Sequence, residues 1–216
     1  MPMSKDREYR NMTLAIETRA EGEPEEQEAR MMVSGYASTF DEPYLLFSDE
    51  EVEVWEKVDR GAFNETNMDD VIMQYDHQGR VFARIRNNTL EVSPDDKGLF
   101  IRADLGGTDI GRSLYQEIAG GYTDRMSFGF TVDEDKREIT EDKTTGKTVV
   151  ERTLLKIGRL YDVSAVSLPA NPGTVISARA LDGVIEEARA ERLKAQELKA
   201  AREQIEKRAR ALGGMK

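Results

Sequence analysis

The chain holds one histidine, His77, and no cysteine. Histidine has the side chain whose ordinary pKa lies closest to neutral pH, so it is the usual proton acceptor for a hydroxyl nucleophile. His77 closes the stretch Val71-Ile72-Met73-Gln74-Tyr75-Asp76-His77, and Gln78-Gly79 follows. That stretch reads as a strand ending in a glycine turn, with Val71, Met73, Tyr75 and His77 on one face by the period-two rule. An imidazole at such a strand end is rigidly held yet able to reach a cleft. A lone histidine is more often structural than catalytic, so the reading depends on its company.

Two other segments supply that company. In Arg125-Met126-Ser127-Phe128-Gly129-Phe130-Thr131-Val132 the large apolar residues alternate with Ser127, Gly129 and Thr131. The apolar face is the core side, and Ser127 projects from the other beside a residue with no side chain. A nucleophilic serine needs a rigid strand beneath it and open space above it; ordinary alternation with a bulge glycine gives the same pattern. The segment is not the hydrolase elbow, because Arg125 stands where that motif needs glycine. The second segment, Leu160-Tyr161-Asp162-Val163-Ser164-Ala165-Val166, is apolar on both faces and reads as a buried strand. A carboxylate there must be paired. Its partner is either an imidazole, as in a triad, or an arginine such as Arg80, Arg84 or Arg159, or backbone amides.

Strands are expected at Tyr9 to Thr18, Met31 to Ala37, Val52 to Trp55, Val81 to Val92, Leu99 to Leu105, Met126 to Val132, around Thr148 to Ile157, and at Leu160 to Leu168. The acidic run Glu21 to Glu28 reads as a solvated loop, and Arg60 to Phe63 as a turn into a brief helical piece. Thr108-Asp109 caps a helix running to about Ala119, with Ile110, Leu114, Tyr115 and Ile118 on its apolar face. From Asp182 to Leu212 the composition turns to Ala, Glu, Lys and Arg, which predicts a long helix, either solvated or bound to a partner. The fold class expected is mainly β (α+β): a barrel-like domain of short, mostly antiparallel strands with flanking helix, plus a long C-terminal helical tail. It divides into a flexible N-terminus (1–8), a folded domain (9–176) and the tail (177–216).

Composition narrows the function. The 216 residues carry a formal charge of −11 with no basic stripe, which argues against nucleic-acid binding. Without cysteine there is no disulfide scaffold, no thiol nucleophile and no cysteine zinc site; one histidine rules out histidine-cluster metal sites. No metal or cofactor is expected. Gly146-Lys147-Thr148 resembles the end of a phosphate loop, but Glu141 replaces its first glycine and strand formers follow. Asp133-Glu134-Asp135 lacks the glycine and distal glutamate of a calcium loop. No apolar stretch approaches a membrane span and Met1 to Arg10 lacks a signal-peptide core, so a soluble chain with no export address is expected.

From about Tyr9 to Ile176 the sequence resembles the prohead (capsid maturation) serine proteases of tailed bacteriophages, relatives of the herpesvirus assemblins. The landmarks are Ser34-Gly35-Tyr36-Ala37, Gly61-Ala62-Phe63, Asp76-His77, Ala103-Asp104-Leu105, Gly111-Arg112, Met126-Ser127-Phe128-Gly129-Phe130, Asp162-Val163-Ser164 and Pro169-Ala170-Asn171-Pro172, in that order. The resemblance implies a barrel-like protease with His77 as general base and Ser127 as nucleophile. The family position before Val-Ser is acidic and often longer than aspartate, and Asp162 is the candidate for the third role. Arg112 and Arg125 are its candidates for the oxyanion site. The implied partners are the major capsid protein with its scaffolding segment, any separate scaffold protein, and the protease's own termini. The implied place of action is the assembling prohead in the host cytoplasm. The alternative is a non-catalytic scaffold or capsid-assembly protein acting through the C-terminal helix.

Overall fold

The computed structural model describes residues 7–12, 17–21, 30–166 and 178–213, with two β-sheets and two α-helices among them. In chain order the elements are β1 (Glu8–Met12), β2 (Glu17–Glu21), β3 (Arg30–Thr39), β4 (Tyr44–Ser48), β5 (Val52–Val58), β6 (Ile72–Tyr75), β7 (Gln78–Arg84), β8 (Leu90–Pro94), β9 (Gly98–Asp104), α1 (Asp109–Ala119), β10 (Arg125–Glu141), β11 (Thr148–Val166) and α2 (Ala178–Gly213). A seven-stranded sheet runs β1-β10-β11-β5-β4, with β6 and β7 paired beside β11; a four-stranded sheet runs β2-β3-β9-β8. The mainly β class with a C-terminal helix follows, as two sheets closing on a common core.

Several element boundaries differ from the sequence reading. The single strand expected over Tyr9 to Thr18 is two, β1 in the large sheet and β2 in the small one. Val81 to Val92 is likewise split by a short 3-10 turn at Ile85–Asn87, which ends at Asn88 in the left-handed region. Conversely, the two strands expected between Thr148 and Val166 are one, 19 residues long, because β10 pairs along its whole length. β4 was not anticipated, and Arg60 to Phe63 forms turns rather than a helical piece. The large sheet is mixed: β11 runs parallel to both β5 and β6. α1 has its expected bounds, and the Thr108 hydroxyl caps it by accepting from the Gly111 amide at 3.1 Å.

The main core gathers Met126, Phe128 and Phe130 of β10, Val163 and Ala165 of β11, Met73 of β6, and Leu99, Ile101 and Ala103 of β9, with Leu114 and Ile118 of α1. Phe128 and Phe130 stack at 4.5 Å between centroids. A second, smaller core lies at the far end of the large sheet, where Leu181, Val184, Ile185 and Ala188 of α2 pack on Leu46, Val52, Val54 and Val150. The first turns of α2 are therefore built into the domain. Its distal part is not: Leu193, Leu198 and Ile205 are mostly exposed.

β1 is fixed by buried charge. Arg10, 2 % exposed, forms ion pairs with Glu8 and with Glu56 of β5. Arg152 of β11 bonds Glu8 and Glu56 at 2.9 Å each, and Asp135 at 2.5 Å. Tyr44 donates to Glu56 at 2.6 Å. Burial raises the cost of ionising Glu8, but Arg10 and Arg152 outweigh it and its pKa falls. The segment expected to be flexible through residue 8 is thus, at Glu8, tied into the sheet.

Candidate active site

Period-two alternation sorts the strands into two faces around this region. In β10, Met126, Phe128 and Phe130 face the core, while Ser127 and Gly129 face the other side. Ser127 pairs across the ladder with Ser164 of β11, and Gly129 with Asp162. β11 carries one extra residue, Tyr161, between the pairs Gly129–Asp162 and Phe130–Leu160, a bulge of the kind that re-aims side chains beside sites. Gly129 is a spatial necessity: a Cβ there would lie 2.5 Å from Asp162 Oδ2.

His77 arrives from a hairpin turn. β6 ends at Tyr75, which pairs with Gln78, so Asp76 and His77 are the turn itself. Both lie in the left-handed region, with φ of 47° and 58°. This is the two-residue type I′ geometry, whose twist matches the flanking strands and which Asp and His tolerate better than most residues. His77 therefore does not continue the strand face of Met73 and Tyr75, as period two implied. The turn is anchored on β11 by the Asp76 amide, which donates to the Ala165 carbonyl at 3.0 Å.

These three segments bring His77, Ser127 and Asp162 together. His77 Nε2 lies 2.5 Å from Ser127 Oγ, and His77 Nδ1 lies 2.5 Å from Asp162 Oδ1. Ser127 and Asp162 have no exposed surface, and the imidazole is 10 % exposed. Burial, and then the charge of Arg7, push the His77 pKa down from 6.5 to about 4, against an opposing pull from Asp76. At neutral pH the ring is then neutral. Since the Asp162 carboxylate can only accept, the ring proton sits on Nδ1, and Nε2 is left as acceptor for the Ser127 hydroxyl. The Arg10 carbonyl, 2.8 Å from Ser127 Oγ, competes for the same hydrogen.

The surroundings contain residues that sequence reasoning missed. Asp162 Oδ1 also accepts from Ser164 Oγ at 2.8 Å, and Asp162 Oδ2 is ion-paired with Arg7. The Tyr9 ring packs on the imidazole at 4.4 Å between centroids. Ser164 was legible as the residue two beyond Asp162 on one strand face; Arg7 and Tyr9 left no local signal. Space above Ser127 was expected, but the His77 turn and the β1 segment cover it. The two arginines proposed for the oxyanion lie in different settings. Arg112 donates to the Gly106 carbonyl at 2.5 Å and pairs with Asp109 at the start of α1. Arg125 lies 3.5 Å from Asp124. Among the described residues no cluster could hold a metal ion.

Fold and site together define a β-rich protein with a buried serine–imidazole–carboxylate relay drawn from three strands' ends and turns. The chain belongs to the caudovirus prohead serine protease family, whose model matches residues 15–187. That membership supports a protease role in phage prohead maturation and, with it, interaction with capsid proteins. Among solved structures, the capsid assembly protease of bacteriophage T4 aligns with 74 % of this chain and 99 % of its own, at 12 % identity and a TM-score of 0.39. No curated protein matches the sequence. No helix among the described residues is long and apolar enough to cross a membrane.

Proposed function

We propose that this chain is a serine endopeptidase with Ser127 as nucleophile, His77 as general base and Asp162 as the carboxylate that orients the imidazole. Its substrates are the scaffolding segment of the major capsid protein, any separate scaffold protein, and its own termini, inside the prohead assembling in the host cytoplasm. The observation that carries the reading is the unbroken relay from Ser127 Oγ through the imidazole to Asp162, 2.5 Å at each step.

In the acylation step His77 Nε2 takes the Ser127 proton as Oγ attacks the scissile carbonyl carbon, and then passes it to the leaving amine. Asp162 keeps the ring in the tautomer with hydrogen on Nδ1 and stabilises the transient imidazolium. Water then attacks the acyl-enzyme with the same base. Because Ser127 has no exposed surface and its hydroxyl also meets the Arg10 carbonyl of β1, a substrate carbonyl reaches it only when the β1 segment over it shifts while the His77 turn stays in place. For the developing oxyanion Arg125 is the better placed arginine: it lies two residues from Ser127 on β10, whereas Arg112 is engaged at α1. Domain roles follow: the sheet domain performs the chemistry and the distal part of α2 reaches toward the capsid protein.

Co-expression with the cognate capsid protein tests this directly. The wild type should release the scaffolding segment, read by intact mass, and Ser127→Ala should not. Undiminished processing by Ser127→Ala would leave the non-catalytic assembly role as the reading.

A further inference from the structure

We propose that Arg7 is a positioning residue of this site: its guanidinium locks the free oxygen of Asp162 and so sets the orientation and the proton affinity of His77. The inference rests on the protease reading for its catalytic consequence, although its physical core concerns the Arg7–Asp162–His77 contact alone.

The Asp162 carboxylate is fully buried, and a buried carboxylate needs its lone pairs satisfied. Oδ1 is held by His77 Nδ1 and Ser164 Oγ. Oδ2 points the other way, over Gly129, and its partner among the described residues is the Arg7 guanidinium. With Oδ1 taken by the imidazole, a charge on Oδ2 fixes the plane of the carboxylate and thereby the ring. Arg7 itself is built in rather than trailing. Its guanidinium lies over the rings of Tyr161, at 4.5 Å, and Tyr9, at 5.1 Å, both contacts that favour a cation. Tyr161 is the bulge residue of β11, so the bulge that presents Asp162 also presents the platform for Arg7. The following residues, Glu8 and Arg10, are clamped by the buried charge cluster, which delivers Arg7 to this spot.

The charged and titratable groups facing His77 are Arg7 and Tyr9 from the N-terminal segment, Asp162 from β11, and Asp76 from its own turn. Arg7 partly neutralises Asp162 and repels an imidazolium directly, so its removal leaves Asp162 to favour the protonated ring. The sign is therefore upward: without Arg7, His77 should bind a proton more tightly. A positive charge lost within a few ångströms moves a pKa by roughly one unit or more.

His77 is the sole imidazole in the chain, so its titration can be read without assignment by ¹H–¹³C NMR of the ring Cε1. In the wild type this signal should not titrate between pH 8 and roughly pH 5. In Arg7→Met the midpoint should rise by about one unit or more, and in Arg7→Lys it should stay near the wild-type value. The hydrogen-bonded Nδ1 proton of His77, observed at neutral pH, should shift in Arg7→Met and be restored in Arg7→Lys. Cleavage by Arg7→Met should fall roughly ten- to a hundredfold in kcat, as for other lost supports of a site, with its acid limb moved to higher pH. An unchanged His77 midpoint and Nδ1 proton in folded Arg7→Met would overturn the proposal. A loss confined to melting temperature, with the NMR signals unmoved, would overturn it equally. Because the NMR measurements are repeated in a Ser127→Ala background, they stand whether or not the chain proves to be a protease.

Discussion

The placement of Gly129 makes a demanding prediction about Gly129→Ala. A Cβ there would sit 2.5 Å from Asp162 Oδ2, 2.8 Å from Tyr9 Cε1 and 2.9 Å from Arg7 Nε, against ordinary contact beginning at 3.4 Å. Tyr9 and Arg7 need to give way by only about half an ångström, but each does so at the expense of its own contact, the ring with His77 and the guanidinium with Asp162. Asp162 cannot retreat so easily, since its fully buried side chain is held at 2.5 Å by His77 and at 2.8 Å by Ser164. Clearing the methyl group requires it to move by about 0.9 Å, or β10 to move away by as much. Overpacking of this kind costs about 1–3 kcal/mol of stability. A displacement near 1 Å in a catalytic constellation lowers the rate roughly a hundredfold. The assay is cleavage of a scaffold-segment peptide by mass spectrometry, beside a thermal melt of the same preparation. A Gly129→Ala protein with wild-type rate and wild-type melting temperature would show that Asp162 is not held where the argument needs it.

Acidification should weaken the fold through His77, whose pKa of about 4 lies below its unfolded value of 6.5; the unfolded chain binds the extra proton between those pH values, so stability falls as pH drops through that window and the loss is complete near pH 4, at about 3 kcal/mol. Chemical denaturation of wild type and His77→Gln across the window should show this slope in the first and its absence from the second; parallel curves would refute it. Arg10→Met should cost about 3–5 kcal/mol, because it strips a partner from buried Glu8 and Glu56, and a melt indistinguishable from wild type would show the cluster to be dispensable. Truncation after residue 200, beyond Arg192 and its bonds to the Glu51 and Gly146 carbonyls, should leave the melting temperature nearly unchanged, whereas truncation after residue 180 removes Leu181, Val184, Ile185 and Ala188 from the second core and should lower it by several degrees; equal melts for the two truncations would contradict the packing described.

Much that matters in this protein is local and could be read from the chain. The alternation in Met126 to Val132 put Ser127 and Gly129 on one face, an aspartate in an apolar strand had to be paired, and Thr108 announced the start of α1. These are properties of neighbouring residues, set by the period of a strand or the orphan amides of a helix end. The partners are another matter. Whether Asp162 would meet an imidazole or an arginine could not be decided from its own strand, and the structure answers with both: His77 on one oxygen, Arg7 on the other. Those contacts bridge 85 and 155 positions of sequence, so they exist only once the parallel pairing of β6 with β11 and the antiparallel pairing of β1 with β10 are formed. The same holds for the division of Tyr9 to Thr18 between two sheets, the cover over Ser127, and the burial of the first turns of α2. Period two tells a strand which residues share a face; it says nothing of which distant strand, with which charge, will lie against that face.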